Sequence, residues 1–188
     1  MQSNKTQFEV WAQLHVSNKS MLEINRFFRY EYNINPDYII QRLHLTVYHA
    51  RRPMPNLINQ SDACRIAFDT LDTKFMVLSP GGENKKPGLI PGNRKVGIRI
   101  QKNTDCRVKI NHYRSALLIH ETPQVLGTRK ASTLSKNAFG ARHFQPHISL
   151  LRAGSNIPTD LTEVGANFRD TIQQIIFDRF TIQQIQNF

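Results

Sequence analysis

The chain has 188 residues, 39% of them hydrophobic and 21% charged, which supplies one folded core and excludes a disordered chain. Lysine and arginine number 25 against 14 acids, a formal net charge of +11 at pH 7, so an anionic partner is expected: nucleic acid, nucleotide or a phospholipid surface. No run approaches the roughly 20 apolar residues of a membrane helix, the opening MQSNKTQFEV lacks the parts of a secretory signal, and Cys64 and Cys106 make no disulfide framework, so a cytoplasmic protein is expected.

Phe8 to Val16 alternates with period two and predicts a half-buried strand with Phe8, Val10, Ala12, Leu14 and Val16 toward the core. Ser17 offers a helix cap, and Met21, Leu22, Ile24, Phe27 and Phe28 follow at helical spacing up to the breaker Asn33-Ile34-Asn35-Pro36. A second strand is expected from about Ile39 to Tyr48. Arg65 to Leu78 predicts two short strands about a turn at Asp69-Thr70-Leu71-Asp72, and Lys95 to Ile100 predicts a strand alternating basic and apolar residues. The Gly- and Pro-rich segment 79–93 between them is expected to be a loop or a connection between lobes. A helix near Asn111 to Ile119, a polar stretch from Gly127 to Arg142, a strand at His147 to Leu151 and a last strand near Phe177 to Ile185 complete the chain.

Two of these segments have one shape. Leu43-His44-Leu45-Thr46-Val47-Tyr48 and Pro146-His147-Ile148-Ser149-Leu150-Leu151 each read His, apolar, hydroxyl, apolar. In a strand, side chains alternate between faces, so His44 and Thr46 share one side, and so do His147 and Ser149, while the apolar residues enter the core. An imidazole beside a hydroxyl on a rigid strand is half of a phosphate-chemistry site: the hydroxyl donates to a phosphoryl oxygen and the imidazole moves a proton. Two halves supply both a base for the attacking hydroxyl or water and an acid for the leaving oxygen, without requiring a metal.

The paired His-x-Thr and His-x-Ser segments, and above all the run Phe144-Gln145-Pro146-His147-Ile148-Ser149-Leu150-Leu151-Arg152, resemble the two-histidine (2H) phosphoesterase superfamily, which includes the bacterial RNA 2',3'-cyclic phosphodiesterases also called 2'-5' RNA ligases. The opening strand, the helix after it and the closing strand are similar to that family's layout. The resemblance implies a bilobal α+β fold, with two antiparallel sheets flanked by helices around a central basic cleft, and a single domain over residues 1–188. It implies catalytic roles for His44 and His147, phosphate-holding roles for Thr46 and Ser149, no metal or other cofactor, and an RNA or nucleotide phosphodiester as substrate. After the first segment the chain continues Tyr48-His49-Ala50-Arg51-Arg52-Pro53-Met54-Pro55, without the glycine common in the cyclic phosphodiesterase branch. A tyrosine followed by basic residues and prolines is more similar to the phage-type branch that degrades cyclic oligonucleotide immune signals.

Several further residues are candidates for substrate binding. By parity Tyr48 shares the face of His44 and Thr46, where it could stack on a base or pack at the strand end. Trp11, on the non-core side of the first strand, is either a base platform or cover for a helix seam. Arg51, Arg52 and Arg152 follow the two motif strands and offer planar bidentate donors to phosphate, although strict alternation puts Arg152 opposite His147 unless the strand twists or ends near Leu151. Lys95, Arg99 and Lys109 read as a general RNA-attracting surface, and His49 falls on the face opposite His44. Pro146 forbids a regular helical zinc pair between His143 and His147. A non-catalytic RNA-binding module remains the rival reading from another class, and a monomer is expected in the absence of a heptad or an apolar surface strip.

Overall fold

The structure of the protein is a computed structural model that describes residues 10–50, 57–78, 95–118 and 145–185. Phe8, Arg51, Arg52, the segment 79–93 and the polar stretch 127–142 lie outside the described residues. Seven strands, β1 (Val10–Val16), β2 (His44–Ala50), β3 (Gln60–Asp69), β4 (Thr73–Val77), β5 (Val96–Ile100), β6 (His147–Leu151) and β7 (Gln174–Gln184), are accompanied by helices α1 (Asn18–Glu31), α2 (Asp105–Leu118) and α3 (Leu161–Thr171). The fold is α+β.

All strands pair antiparallel in one sheet of order β3-β7-β1-β2-β6-β5-β4. This corrects the expectation of two separate sheets. The halves β3-β7-β1-β2 and β6-β5-β4 join where β2 meets β6, through the single register pair Leu45↔Ile148. An open edge on either strand would leave backbone donors and acceptors unpaired, and mutual pairing satisfies them.

From Val10 to Glu31 the described residues fold as their pattern predicts. Val10, Ala12 and Leu14 of β1 are fully buried, and the Ser17 side chain caps α1 by accepting from the Ser20 backbone N–H. The Ser20 hydroxyl is itself buried and accepts from the Ile176 amide at 3.0 Å, which pins α1 to β7. Helix α2 starts at Asp105, ahead of the expected Asn111, and α3 was absent from the expected elements.

Among the described residues, α1, α2 and α3 cover one face of the sheet. Phe27 and Phe28 of α1, Phe75 of β4 and Phe168 of α3 interlock, with ring centroids 5.1 Å apart for Phe27–Phe168 and 5.0 Å for Phe75–Phe168, both edge-on. This cluster packs the two halves of the sheet against common rings. On α2, Tyr113 stacks against Phe180 at 4.7 Å, and Arg114 donates to the Val47 carbonyl at 3.4 Å. With one face committed to this core, polar residues of the strands fall on the other.

Candidate active site

The two histidine segments lie on neighbouring strands at the centre of the sheet. Leu45 and Ile148 face each other across the β2–β6 pair and are fully buried, so His44 and Thr46, and His147 and Ser149, flank that pair on the opposite face. Antiparallel pairing sets Thr46 across from His147 and His44 across from Ser149, and it makes the two histidines diagonal neighbours, roughly 7–8 Å apart at the backbone.

Both imidazoles are held alike. Nδ1 of His147 lies 2.9 Å from the Gln145 carbonyl, and Nδ1 of His44 lies 3.4 Å from the Arg42 carbonyl, in each case two residues upstream. A carbonyl only accepts, so these contacts favour Nδ1–H on both rings and leave both Nε2 atoms for proton transfer. The His44 side chain is exposed at its rim, yet burial of the ring lowers its pKa first. The Arg42 carbonyl opposes that shift, and the positive charge His147 can carry adds to it. His44 is thereby biased toward the neutral form that accepts a proton.

The hydroxyl-bearing segments also end alike, and here the structure corrects the parity argument. The ladder with β1 runs Gln13↔Thr46 and then Ala12↔Tyr48, which makes Val47 a β-bulge. The bulge turns Tyr48 into the core, where it is fully buried beneath the Arg114 guanidinium, 5.9 Å from its ring. Tyr48 is therefore not on the face of His44. His49 takes that face instead, opposite Trp11 and almost buried. The ladder of β6 with β5 runs Gly97↔Ser149 and then Val96↔Leu151, so Leu150 is the corresponding bulge. Leu151 then joins the core, the strand ends, and Arg152 is exposed, with its amide bound to the Tyr38 carbonyl at 2.8 Å. Among the described residues, no hydrogen bond or ion pair ties the Arg152 side chain to either histidine segment.

Cross-strand register adds residues the linear pattern did not single out. Next to His44 on β1 stands His15, and next to His15 on β7 stands Arg179. The His15 and His44 ring centroids are 6.4 Å apart, and His15 Nε2 is 2.7 Å from the Thr181 hydroxyl. His15 has a lowered pKa, from burial first, then the Arg179 and His44 charges, with Asp178 opposing. Gln13 stands between Thr46 and Thr181. On the other side Arg99 of β5 stands opposite His147, with Lys74 of β4 beyond it, and its guanidinium hydrogen-bonds the Gln145 side chain. Arg99 is thus part of the histidine face rather than of a diffuse basic surface, whereas Lys109 on α2 donates to the Ala67 carbonyl. The parity that put Trp11 on the non-core side of β1 applied equally to Gln13 and His15; that was the available signal. Trp11 does lie on this face, half-buried between His49 and Gln183.

A groove of about 1030 Å³ opens on the His44 side, with Gln13, His15, Arg42, His44, Asp178 and Arg179 among its lining residues. Among the described residues there is no group of three or more His, Cys, Asp and Glu placed to hold a metal ion, and no helix is long and apolar enough to cross a membrane. A scan of protein-family models finds none that matches the chain, and a search of curated proteins finds no match either.

Proposed function

We propose that the protein is a two-histidine phosphodiesterase that cleaves a nucleotide or RNA-end phosphodiester, a 2',3'-cyclic phosphate or a 2'-5' linkage, by general acid and base catalysis. The observation that carries this reading is the local two-fold likeness of the half-sites: His-x-hydroxyl on adjacent antiparallel strands, each imidazole held through Nδ1 by the carbonyl two residues back, each segment closed by a buried bulge. A satisfied sheet histidine has no reason to recur in that form. We read the two halves of the sheet as the two lobes of the 2H arrangement.

In this mechanism His44, biased toward neutrality, takes the proton from the attacking hydroxyl or water through Nε2. His147 gives its Nε2 proton to the leaving oxygen, and the roles exchange in the second half of a two-step reaction. Thr46 and Ser149 hold the non-bridging oxygens, and their donors oppose the charge that grows on phosphorus. Arg99 beside His147 adds a fixed positive charge. The free cysteines Cys64 and Cys106 fit a reducing compartment, and we place the protein in the cytoplasm, as a monomer.

The test is incubation of EDTA-treated protein, beside the His44→Ala/His147→Ala double variant, with a 2',3'-cyclic-phosphate RNA end, a 2'-5' oligoadenylate and cyclic oligonucleotides, with products resolved by chromatography. Cleavage by the parent alone supports the reading, and loss of the cyclic oligonucleotide alone assigns the phage-type branch. An intact panel with tight, salt-dependent binding overturns the catalytic reading in favour of an RNA-binding module, and activity abolished by the chelator favours a metallohydrolase.

A further inference from the structure

We infer that β1, β7 and the approach to β2 form a second phosphate subsite beside His44, built from Arg179, Arg42 and His15, which takes the neighbouring phosphate of an oligonucleotide whose scissile phosphate lies between His44 and His147. This rests on the reading of the histidine pair given above and adds to it the size of the substrate. A mononucleotide 2',3'-cyclic phosphate has nothing to place there.

Four observations carry the inference. The groove lies to one side of the histidine pair, and its volume of about 1030 Å³ exceeds what one phosphate between two imidazoles occupies. Its walls bring together side chains from three separate strands or their approaches: Arg42 just ahead of β2, His15 on β1 and Arg179 on β7. The Ser149–His44–His15–Arg179 row places Arg179 two strands from His44, about 10 Å at the usual strand spacing, and both residues line the same groove, within the span of neighbouring phosphates on an extended strand. Among the described residues neither Arg42 nor Arg179 spends its guanidinium on a hydrogen bond or an ion pair.

The β7 backbone is shaped to this end. The ladder passes from His15↔Arg179 to Val16↔Phe177, which makes Asp178 a bulge. Phe177 enters the core while Arg179 keeps the polar face, and Thr181, two residues on, fixes the His15 ring at Nε2. His15 thus offers a positioned ring rather than a mobile one. Asp178 also lines the groove and partly offsets the positive charge, which leaves Arg42 and Arg179 against one carboxylate. The opposite flank is unlike this one, because Arg99 is engaged by Gln145.

The experiment compares kcat/KM for a 2'-5' triadenylate with that for adenosine 2',3'-cyclic monophosphate, in the parent and in Arg179→Ala and Arg42→Ala/Arg179→Ala variants. In parallel, the full-length His44→Ala/His147→Ala protein, with and without Arg179→Ala, is titrated with the same triadenylate at several salt concentrations. The expected result is a ratio favouring the triadenylate that falls at least tenfold on removal of both arginines. The logarithmic salt slope of triadenylate binding should also shrink by about 0.7 for the one lost phosphate contact. A ratio unchanged within twofold, with an unchanged salt slope, overturns the subsite even if the histidine chemistry holds. Absence of turnover on both substrates, with binding that still depends on Arg179, overturns the catalytic reading and leaves the subsite standing.

Discussion

The two half-sites differ less in themselves than in what stands beside them. β2 and β6 carry the same residue pattern, the same Nδ1 contact and the same bulge position. Yet His44 has a histidine and a groove for neighbours, whereas His147 has Arg99 and, past Ser149, the bare backbone of Gly97. Like halves in different surroundings leave His44 with a lowered pKa, biased toward the neutral form that a general base requires.

The sharpest way to break this comparison is to remove one histidine at a time. His44→Ala and His147→Ala are each expected to lower turnover by about two to four powers of ten, with the circular dichroism of the parent retained because both side chains lie on the face opposite the aromatic core. If either single variant keeps parental turnover, the halves are not partners. Thr46→Val and Ser149→Ala remove a donor to phosphate and should each cost less, on the order of ten- to a hundredfold. Unequal losses from these two would show which wall carries more of the developing charge.

Gly97 sharpens the comparison from the structural side. A Cβ at this position would run into the Ile148 carbonyl and the Leu78 side chain, so β5 approaches β6 more closely than any other residue allows. Gly97→Ala must displace the strand that carries His147 and Ser149, and β2 feels the shift through the Leu45↔Ile148 pair. We expect lower thermal stability and a loss of turnover greater than that from Gly154→Ala, a positive-φ glycine at 87° that lies beyond the end of β6. Comparable activity in the two variants would mean that the second half-site tolerates movement.

How much of this was written in the residues varies by element. β1, the Ser17 cap, α1 and the His147–Leu151 strand followed from periodicity because each alternates or repeats without interruption. Both histidine pairs were legible for the same reason. The rule failed one residue beyond each pair. Val47 and Leu150 form bulges although neither is the glycine that often marks one, and a single inserted residue sends Tyr48 inward and His49 outward. Helix α3 carries its signal in Asp160 with Glu163 three residues on, and in the structure the Asp160 side chain accepts from the amides of Thr162 and Glu163. The union of two half-sheets at Leu45 and Ile148 had none, because a strand's own pattern says nothing about which edge it will meet. His15 and Arg179 were likewise invisible as neighbours, being joined only through register across β1 and β7.

The finest distinction between the halves is electrostatic. Burial is the first cause of the lowered His44 pKa and the charge of His147 a smaller one, so His147→Ala should raise the His44 value, leaving it still below the ordinary 6.5. Proton NMR titration of the His44 ring in the two proteins measures this, and a downward move would contradict the pairing. The same lowered values bear on stability. His15 and His44 both bind protons less readily when folded than the unfolded chain does, so the stability they favour is present above about pH 6.5 and is lost as pH falls through their folded values. Thermal unfolding at pH 5 should therefore occur at a lower temperature than at pH 7. His15→Asn should narrow that gap by removing one of the two groups, and a gap unaltered by the substitution would mean that the His15 ring is as free to charge in the folded protein as in water.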